Sequence, residues 1–210
     1  MTGLWGQLNR RFARFVTDVV TRNPRLWFLF RGPMRRQFDR MANRWDSMRS
    51  DDAMAPVEAG LERVDPPRRV LDIGTGTGLG AFAIARRFPE AEVLGVDVSE
   101  KMIERARENA PPELRNRVRF EPADAAHLPY DDGSFELVVH ANMFPFPDEL
   151  ARVLAPGGHV LFSFSGGAQT PIYVSPERLR EDLGRRGFTD FADFAAGSGT
   201  GFLARKPPRT

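Results

Sequence analysis

The chain has 210 residues, 41% of them apolar and 28% charged, enough for one α/β domain with an N-terminal extension. It has no cysteine, which excludes disulfides, thiolate metal sites and a cysteine nucleophile. No run of about 18 apolar residues is present, so nothing predicts a membrane-spanning helix. The net charge of +2 hides an asymmetry: residues 1–50 carry 11 Arg against 3 Asp, whereas the remainder is net acidic. The basic part is expected to meet something acidic: the rest of the chain, an anionic membrane or a charged substrate. Met1-Thr2-Gly3-Leu4-Trp5 lacks the order of a secretory signal, and the expected location is cytoplasmic, with peripheral membrane contact left open.

Residues 4–20 predict an amphipathic helix. At about 100° per residue, Leu4, Leu8, Phe12, Phe15, Val16 and Val19 share one face, with Arg10, Arg11, Arg14 and Asp18 opposite. Two partners suit the apolar face: the core of the main domain, or a membrane surface with Trp5 and Phe12 in the interface. Peripheral membrane contact would run through residues 4–31. Asn23-Pro24 ends this helix. Pro33 is expected to open a second one, carrying Phe38, Met41 and Trp45 on one face, and Asp51-Asp52 breaks the pattern. A third helix is predicted at about 53–64, before Pro66-Pro67. Residues 1–66 thus read as a helical extension or lid and 67–210 as the main domain.

From Arg69 the pattern alternates. Strands are predicted at 70–73, 92–96, 117–121, 135–141 and 159–165, with helices at 79–87, 99–109 and 176–186. Two last strands, near 188–194 and 200–205, close the chain. Such alternation predicts a mostly parallel sheet with helices on both faces. The final pair is joined only through Gly197-Ser198-Gly199, too short a link for a parallel return, so it must be antiparallel.

The chemistry concentrates in three acids and a glycine loop. Val70-Leu71-Asp72-Ile73 runs into Gly74-Thr75-Gly76-Thr77-Gly78, where glycine admits a ligand close to the main chain and the next helix presents free N–H groups. Gly76-x-Gly78-x-x-Ala81 is also a weak dinucleotide pattern, so a dehydrogenase competes at this point. Asp97 ends the second strand, about 20 residues on, where a carboxylate suits ribose hydroxyls. Ser99 can cap the following helix and leave Asp97 free. Asp124, after the third strand, can accept from an adenine amino group.

The stretch from Arg69 to Lys206 resembles the class I S-adenosylmethionine-dependent methyltransferases, in the group of ubiquinone/menaquinone-type enzymes. Four motifs carry the resemblance in the family's order: Asp72–Gly78, Val96-Asp97-Val98-Ser99 with Met102, the run Asp124–Val138, and Arg152–Val160 with Pro156-Gly157-Gly158. Together they demote the dehydrogenase. The resemblance implies a Rossmann-like, seven-stranded α/β sheet of order 3-2-1-4-5-7-6, with the last strand antiparallel. It implies S-adenosylmethionine as cofactor, bound by Asp72, Gly74, Thr75, Gly76, Gly78, Asp97, Val98, Asp124 and Ala125. In that scheme the glycines surround the methionine part, Asp72 supports the loop, Asp97 holds the ribose, Val98 packs on the adenine, and Asp124 and Ala125 contact its edge.

The sequence departs from the family after the fourth strand, where Asn142-Met143-Phe144-Pro145-Phe146-Pro147-Asp148-Glu149-Leu150 leads quickly to the Pro-Gly-Gly turn. The N-terminal segment is then expected to supply the lid. Phe38-Asp39-Arg40-Met41-Ala42-Asn43-Arg44-Trp45-Asp46 is similar to the aromatic-Asp cover of relatives, which makes Phe38 and Trp45 lid candidates. His140, ending the fourth strand, is the candidate catalytic base. No acid and histidine cluster suggests a metal. Nucleic acid is a poor partner, because Arg10, Arg11 and Arg14 lack interleaved stacking aromatics. The expected activity is in-line methyl transfer to a small, apolar molecule. The alternative is a cofactor-binding scaffold or membrane-peripheral protein without turnover.

Overall fold

The computed structural model describes residues 4–48, 50 and 52–209, with side chains from Arg10 onward except Met48. Seven strands form one sheet: β1 (Arg69–Ile73), β2 (Glu92–Asp97), β3 (Val118–Pro122), β4 (Phe135–Ala141), β5 (Leu154–Phe164), β6 (Thr189–Ala196) and β7 (Gly199–Arg205). Their order is β3-β2-β1-β4-β5-β7-β6, as the resemblance implies. β1 to β5 pair in parallel, and β7 runs antiparallel to both β5 and β6. Ala196 pairs with Gly199, so the last hairpin turns on two residues, with Gly197 left-handed at φ 56°.

Alternation along the strands sorts two cores. Leu137, Val139 and Leu161 face Val57 and Leu61 of helix α3 (Ala55–Leu61), Phe82 and Ile84 of α4 (Leu79–Arg87), and Ile103 of α5 (Glu100–Asn109). On the other face, Val138, Val160 and Phe162 meet Leu150 of α6 (Pro147–Val153) and Leu179 and Leu183 of α7 (Pro176–Gly184). The N-terminal helices α1 (Leu4–Arg22) and α2 (Trp27–Met41) join this second core through Val16, Val20, Trp27 and Met34.

Three expectations need correction. First, α1 is rolled relative to the predicted face. Val16, Thr17 and Val20 are buried, whereas Phe12 and Phe15 are exposed. Arg10 and Arg14, expected to point away, reach over the body instead. Arg10 donates to the Gln169 carbonyl at 2.8 Å and Arg14 to the Thr170 carbonyl at 3.1 Å. Carbonyls in the turn after β5 supply acceptors that periodicity could not reveal, and long arginine stems reach them over apolar surface. The side chains of Leu4, Trp5 and Leu8 lie outside the described ones, as does Asp51 of the expected break.

Second, Pro33 lies inside α2 rather than at its start. Its missing N–H removes the usual partner of the Leu29 carbonyl, on a turn where Leu29 is exposed and the loss is tolerated. Burial of Trp27 and Met34 on either side holds the helix together. Third, α6 was not expected. It is only 7 residues long, yet Pro147 at its first turn and Asp148 and Glu149 beside the N-terminus are good starters. The Pro156-Gly157-Gly158 turn is a bulge within β5, between the pairs Phe135–Leu154 and Leu137–His159.

Candidate functional site

The strand order reverses between β1 and β4, and in a parallel α/β sheet ligands bind beyond the C-terminal strand ends at such a point. β1 leads there into the glycine loop. Gly74, Gly76 and Gly78 have φ of 71°, 55° and 93°, a region that costs other residues about 1–2 kcal/mol. The N–H groups of Gly74 and Thr75 both donate to the Val96 carbonyl, at 2.8 and 2.9 Å, tying the loop to the end of β2. The Thr75 hydroxyl donates to Asp72 Oδ2 at 2.6 Å. Asp72 is buried, and a Cβ on Gly80 would come within 2.9 Å of the same oxygen, so α4 starts hard against this carboxylate.

Asp97, at the end of β2, accepts from Gly76 N–H at 3.1 Å and from Ser99 N–H at 2.9 Å, one on each oxygen. Ser99 does cap α5, its Oγ accepting from Met102 N–H at 3.2 Å. The same hydroxyl donates to Asp39 Oδ1 at 2.6 Å. Burial pushes Asp97 up to about 6, against the pull of the two N–H donors and with some help from the Asp39 charge. Val98 beside it is half-buried.

Asp124 follows β3. Its Oδ1 accepts from Ala126 N–H at 3.0 Å and from the Trp27 indole N–H at 2.7 Å, and Arg31 donates to Oδ2 at 3.1 Å. Ala125 is buried next to it. Arg152 of α6 fixes the rest of this loop, donating to the carbonyls of Leu128 and Tyr130 and to Glu149, which in turn accepts from Leu128 N–H at 2.8 Å.

At the end of β4, His140 is 0% exposed, with its ring centroid 5.2 Å from that of Phe162. Neither ring nitrogen has a hydrogen-bond partner. Desolvation lowers its pKa to about 4; the Met143 main chain opposes the shift without making a bond that meets hydrogen-bond geometry. Asn142 then turns left-handed at φ 52°, its Oδ1 accepting from Ser165 N–H at 2.9 Å. That turn lays Met143 on the glycine loop: a Cβ on Gly74 would stand 2.9 Å from the Met143 sulfur. Phe144, Phe146 and Trp27 pack on one another beside it, with centroids 5.2 to 5.9 Å apart and edge-on.

The expected lid aromatics Phe38 and Trp45 meet each other edge-on at 5.6 Å. The segment's polar links to the loop are made by acids instead: Asp39 through Ser99, and Asp46, which accepts from the Thr77 hydroxyl and from Asn109 at 3.3 Å. Sequence reasoning missed Trp27 and Arg31 as partners of Asp124, since 97 and 93 residues separate them from it. Asp39 and Asp46 carried a signal, lying inside the segment similar to a lid.

These residues fit S-adenosylmethionine. The left-handed glycines carry no side chain of their own, and Met143 lies over the Gly74 face, with Phe82 and Phe120 behind Gly78. Asp97 uses only two of about four acceptor positions, leaving capacity for a ribose diol. Asp124 accepts from Ala126, Trp27 and Arg31 and keeps about one acceptor position of four. Among the described residues no group of three or more His, Asp or Glu could hold a metal ion.

Comparison with known proteins gives the family. Residues 70–158 match the methyltransferase domain family. The fold and the match together define this part of the chain as a methyltransferase domain of the class I, S-adenosylmethionine-dependent kind. A malonyl-[acyl-carrier protein] O-methyltransferase of Halorhodospira halophila is 40% identical over 162 residues, covering 70% of this chain and 50% of the relative. A demethylmenaquinone methyltransferase of Thermus thermophilus is 44% identical over 113 residues, half of each chain. The chain therefore spans about half the length of the curated relatives it matches. Among solved structures, an S-adenosylmethionine-dependent methyltransferase of Aquifex aeolicus superposes with TM-score 0.66 at 18% identity, over 78% of this chain and 97% of that one. A phosphoethanolamine N-methyltransferase 2 of Haemonchus contortus, solved with S-adenosylmethionine, gives 0.64 at 21%, over 80% and 57%. At that identity the likeness is one of fold.

Proposed function

We propose that the chain binds S-adenosylmethionine across its glycine loop, Asp97 and Asp124, and transfers the methyl group to a small, apolar acceptor. One observation carries the choice of acceptor: the Met143 sulfur lies against Gly74, and the next residues, Phe144 and Phe146, pack edge-on with each other and with Trp27 in the core that Met143 borders. An apolar wall at the methionine end of the cradle suits an apolar acceptor and excludes water from the reacting groups.

When bound, the cofactor supplies a methyl carbon already activated by the positive sulfur. The protein's part is alignment. In this reading Asp97 fixes the ribose, Asp124 the adenine edge with Ala125 and Val98 packing on it, and Asp72 with Thr75 holds the glycine loop in shape. An acceptor that carries a proton must lose it. His140 is the titratable group at the end of β4, yet with a pKa near 4 it is a weak base, because a good general base titrates near the working pH. We assign its neutral ring to hydrogen bonding with the acceptor. Phe38 and Trp45 serve as a hinge cluster of the lid whose polar contacts are Asp39 and Asp46.

The test is calorimetric titration with S-adenosylmethionine and its demethylated product, with NAD as control. Binding of the first two, lost in Asp97→Ala, is expected, followed by turnover with lipophilic acceptors. A second reading, a cofactor-binding scaffold without turnover, is favoured by the dense filling of the wall, with Phe144 2% and Phe146 4% exposed. Binding without transfer to any member of an acceptor panel would select it.

A further inference from the structure

The outer face of the N-terminal helices has no part in the site. Phe12, Phe15, Phe28 and Leu29 are 39%, 57%, 67% and 53% exposed. Scattered singly, such residues would need no explanation. These four belong to two helices that meet, since the ring of Phe15 on α1 packs edge-on against Phe30 on α2 at 6.2 Å. The core-facing strips of the same helices are already used, by Val16, Thr17 and Val20 on one and Trp27 and Met34 on the other.

The charge around this apolar strip is mainly positive. Arg11, Phe15, Asp18 and Arg22 recur at i, i+4, i+7 and i+11 along α1, one stripe of the helix on which Asp18 is the single acid. On α2, Arg35 follows Phe28 and Arg36 follows Leu29 at seven residues, two turns on. Arg11, Arg22 and Arg36 make no ion pair among the described residues, and Arg35 only reaches Glu100 at 4.0 Å. The acid of α2, Asp39, is bonded to Ser99. A second copy of the chain would therefore set two net positive faces together, Arg11, Arg22, Arg35 and Arg36 outweighing the exposed Asp18 on each.

We propose that this face docks on an anionic lipid bilayer, with Phe12, Phe15, Phe28 and Leu29 at the headgroup–acyl boundary and Arg11, Arg22, Arg35 and Arg36 on lipid phosphates. Apolar side chains flanked by arginine are what binds at that boundary, by burial and by attraction to anionic lipid together. The docking is independent of the acceptor's identity and of turnover.

The test uses the whole chain and sedimentation with vesicles of phosphatidylcholine, with or without phosphatidylglycerol, at low and high salt. Binding to the anionic vesicles alone, weakened by salt, is expected. Replacing Arg11, Arg22 and Arg36 by Gln should weaken it on the order of a hundredfold, about fivefold for each charge. Phe15→Ser with Phe28→Ser should also release the protein, while its circular dichroism and S-adenosylmethionine binding stay native; Leu29→Gln is the milder variant should that pair unfold. Failure of the native chain to sediment with anionic vesicles overturns the proposal. So does undiminished binding by the folded Phe variants, or a dimer that these variants split in a chain indifferent to vesicles.

Discussion

The indole N–H of Trp27 donates to Asp124 Oδ1 at 2.7 Å, so the carboxylate assigned to the adenine is held by the N-terminal segment. Ala126 N–H shares that oxygen and Arg31 takes the other. An adenine amino group must compete with these donors. Trp27→Phe keeps a ring against Phe144 and Phe146 but removes one competitor. Hydrogen bonds to charged groups contribute about 1.5–3 kcal/mol, and each 1.4 kcal/mol is about tenfold in affinity. The variant should therefore bind S-adenosylmethionine about tenfold more tightly in calorimetric titration and unfold at a lower temperature. Unchanged or weaker binding would mean that Trp27 and the adenine do not compete.

Asp97 makes cofactor binding depend on pH. Ribose hydroxyls donate to the ionised carboxylate, while burial in the free protein pushes this group up to about 6. Affinity should be flat above pH 6 and fall about tenfold per pH unit below it, as a proton must be expelled before binding. Its effect on folding has the opposite sense. A carboxyl raised from 3.8 to about 6 stabilises the folded state at low pH, and that contribution is lost as pH rises through this window. Asp97→Asn should bind weakly at every pH, with the dependence gone. A native Kd that stayed constant from pH 7 to pH 5 would remove Asp97 from the ribose.

The sheet and the loop geometry around Asp97 were legible because their signals are local. Val70–Ile73 is a buried strand that runs into glycines, Asp97 ends a strand, and Ser99 caps a helix, each within a few residues. The Gly197 hairpin was legible for the same reason. The roll of α1 was not, since Arg10 and Arg14 are fixed by carbonyls more than 150 residues away. Nor was the hold of Trp27 on Asp124. In both cases the deciding partner is distant in sequence, and helical periodicity reports only that a face exists, not which neighbour it meets. α6 escaped because seven residues after Pro145 and Phe146 are too few for a helical period to show.

His140 predicts an acid-sensitive fold. Desolvation holds its folded pKa near 4 against an ordinary 6.5, so the folded state excludes the proton that the unfolded chain accepts. The stabilisation is complete above pH 6.5 and is lost as pH falls toward 4, roughly 3 kcal/mol in all. His140→Leu should remove this slope and cost little at pH 7, because two unpaired buried nitrogens leave with the ring. Denaturant unfolding of both proteins at pH 7 and pH 5 measures it; parallel curves would show that the ring is hydrated or partnered in solution. Retained cofactor binding with lost transfer in the same variant would separately place the ring on the acceptor.

Gly74 tests the cradle itself, because two costs meet at one Cβ. At φ 71° an alanine is strained, and its methyl would stand 2.9 Å from the Met143 sulfur. Gly74→Ala should cost about 1–2 kcal/mol from the backbone alone, and should abolish S-adenosylmethionine binding because the strained loop and the displaced Met143 together close the cradle. Met143→Ala in the same chain frees the space but leaves the dihedral strained. The double variant should recover part of the thermal stability and none of the binding. Recovery of binding as well would mean that the methyl excludes the cofactor only by displacing Met143, and that the acceptor wall, not the loop, limits access to the site.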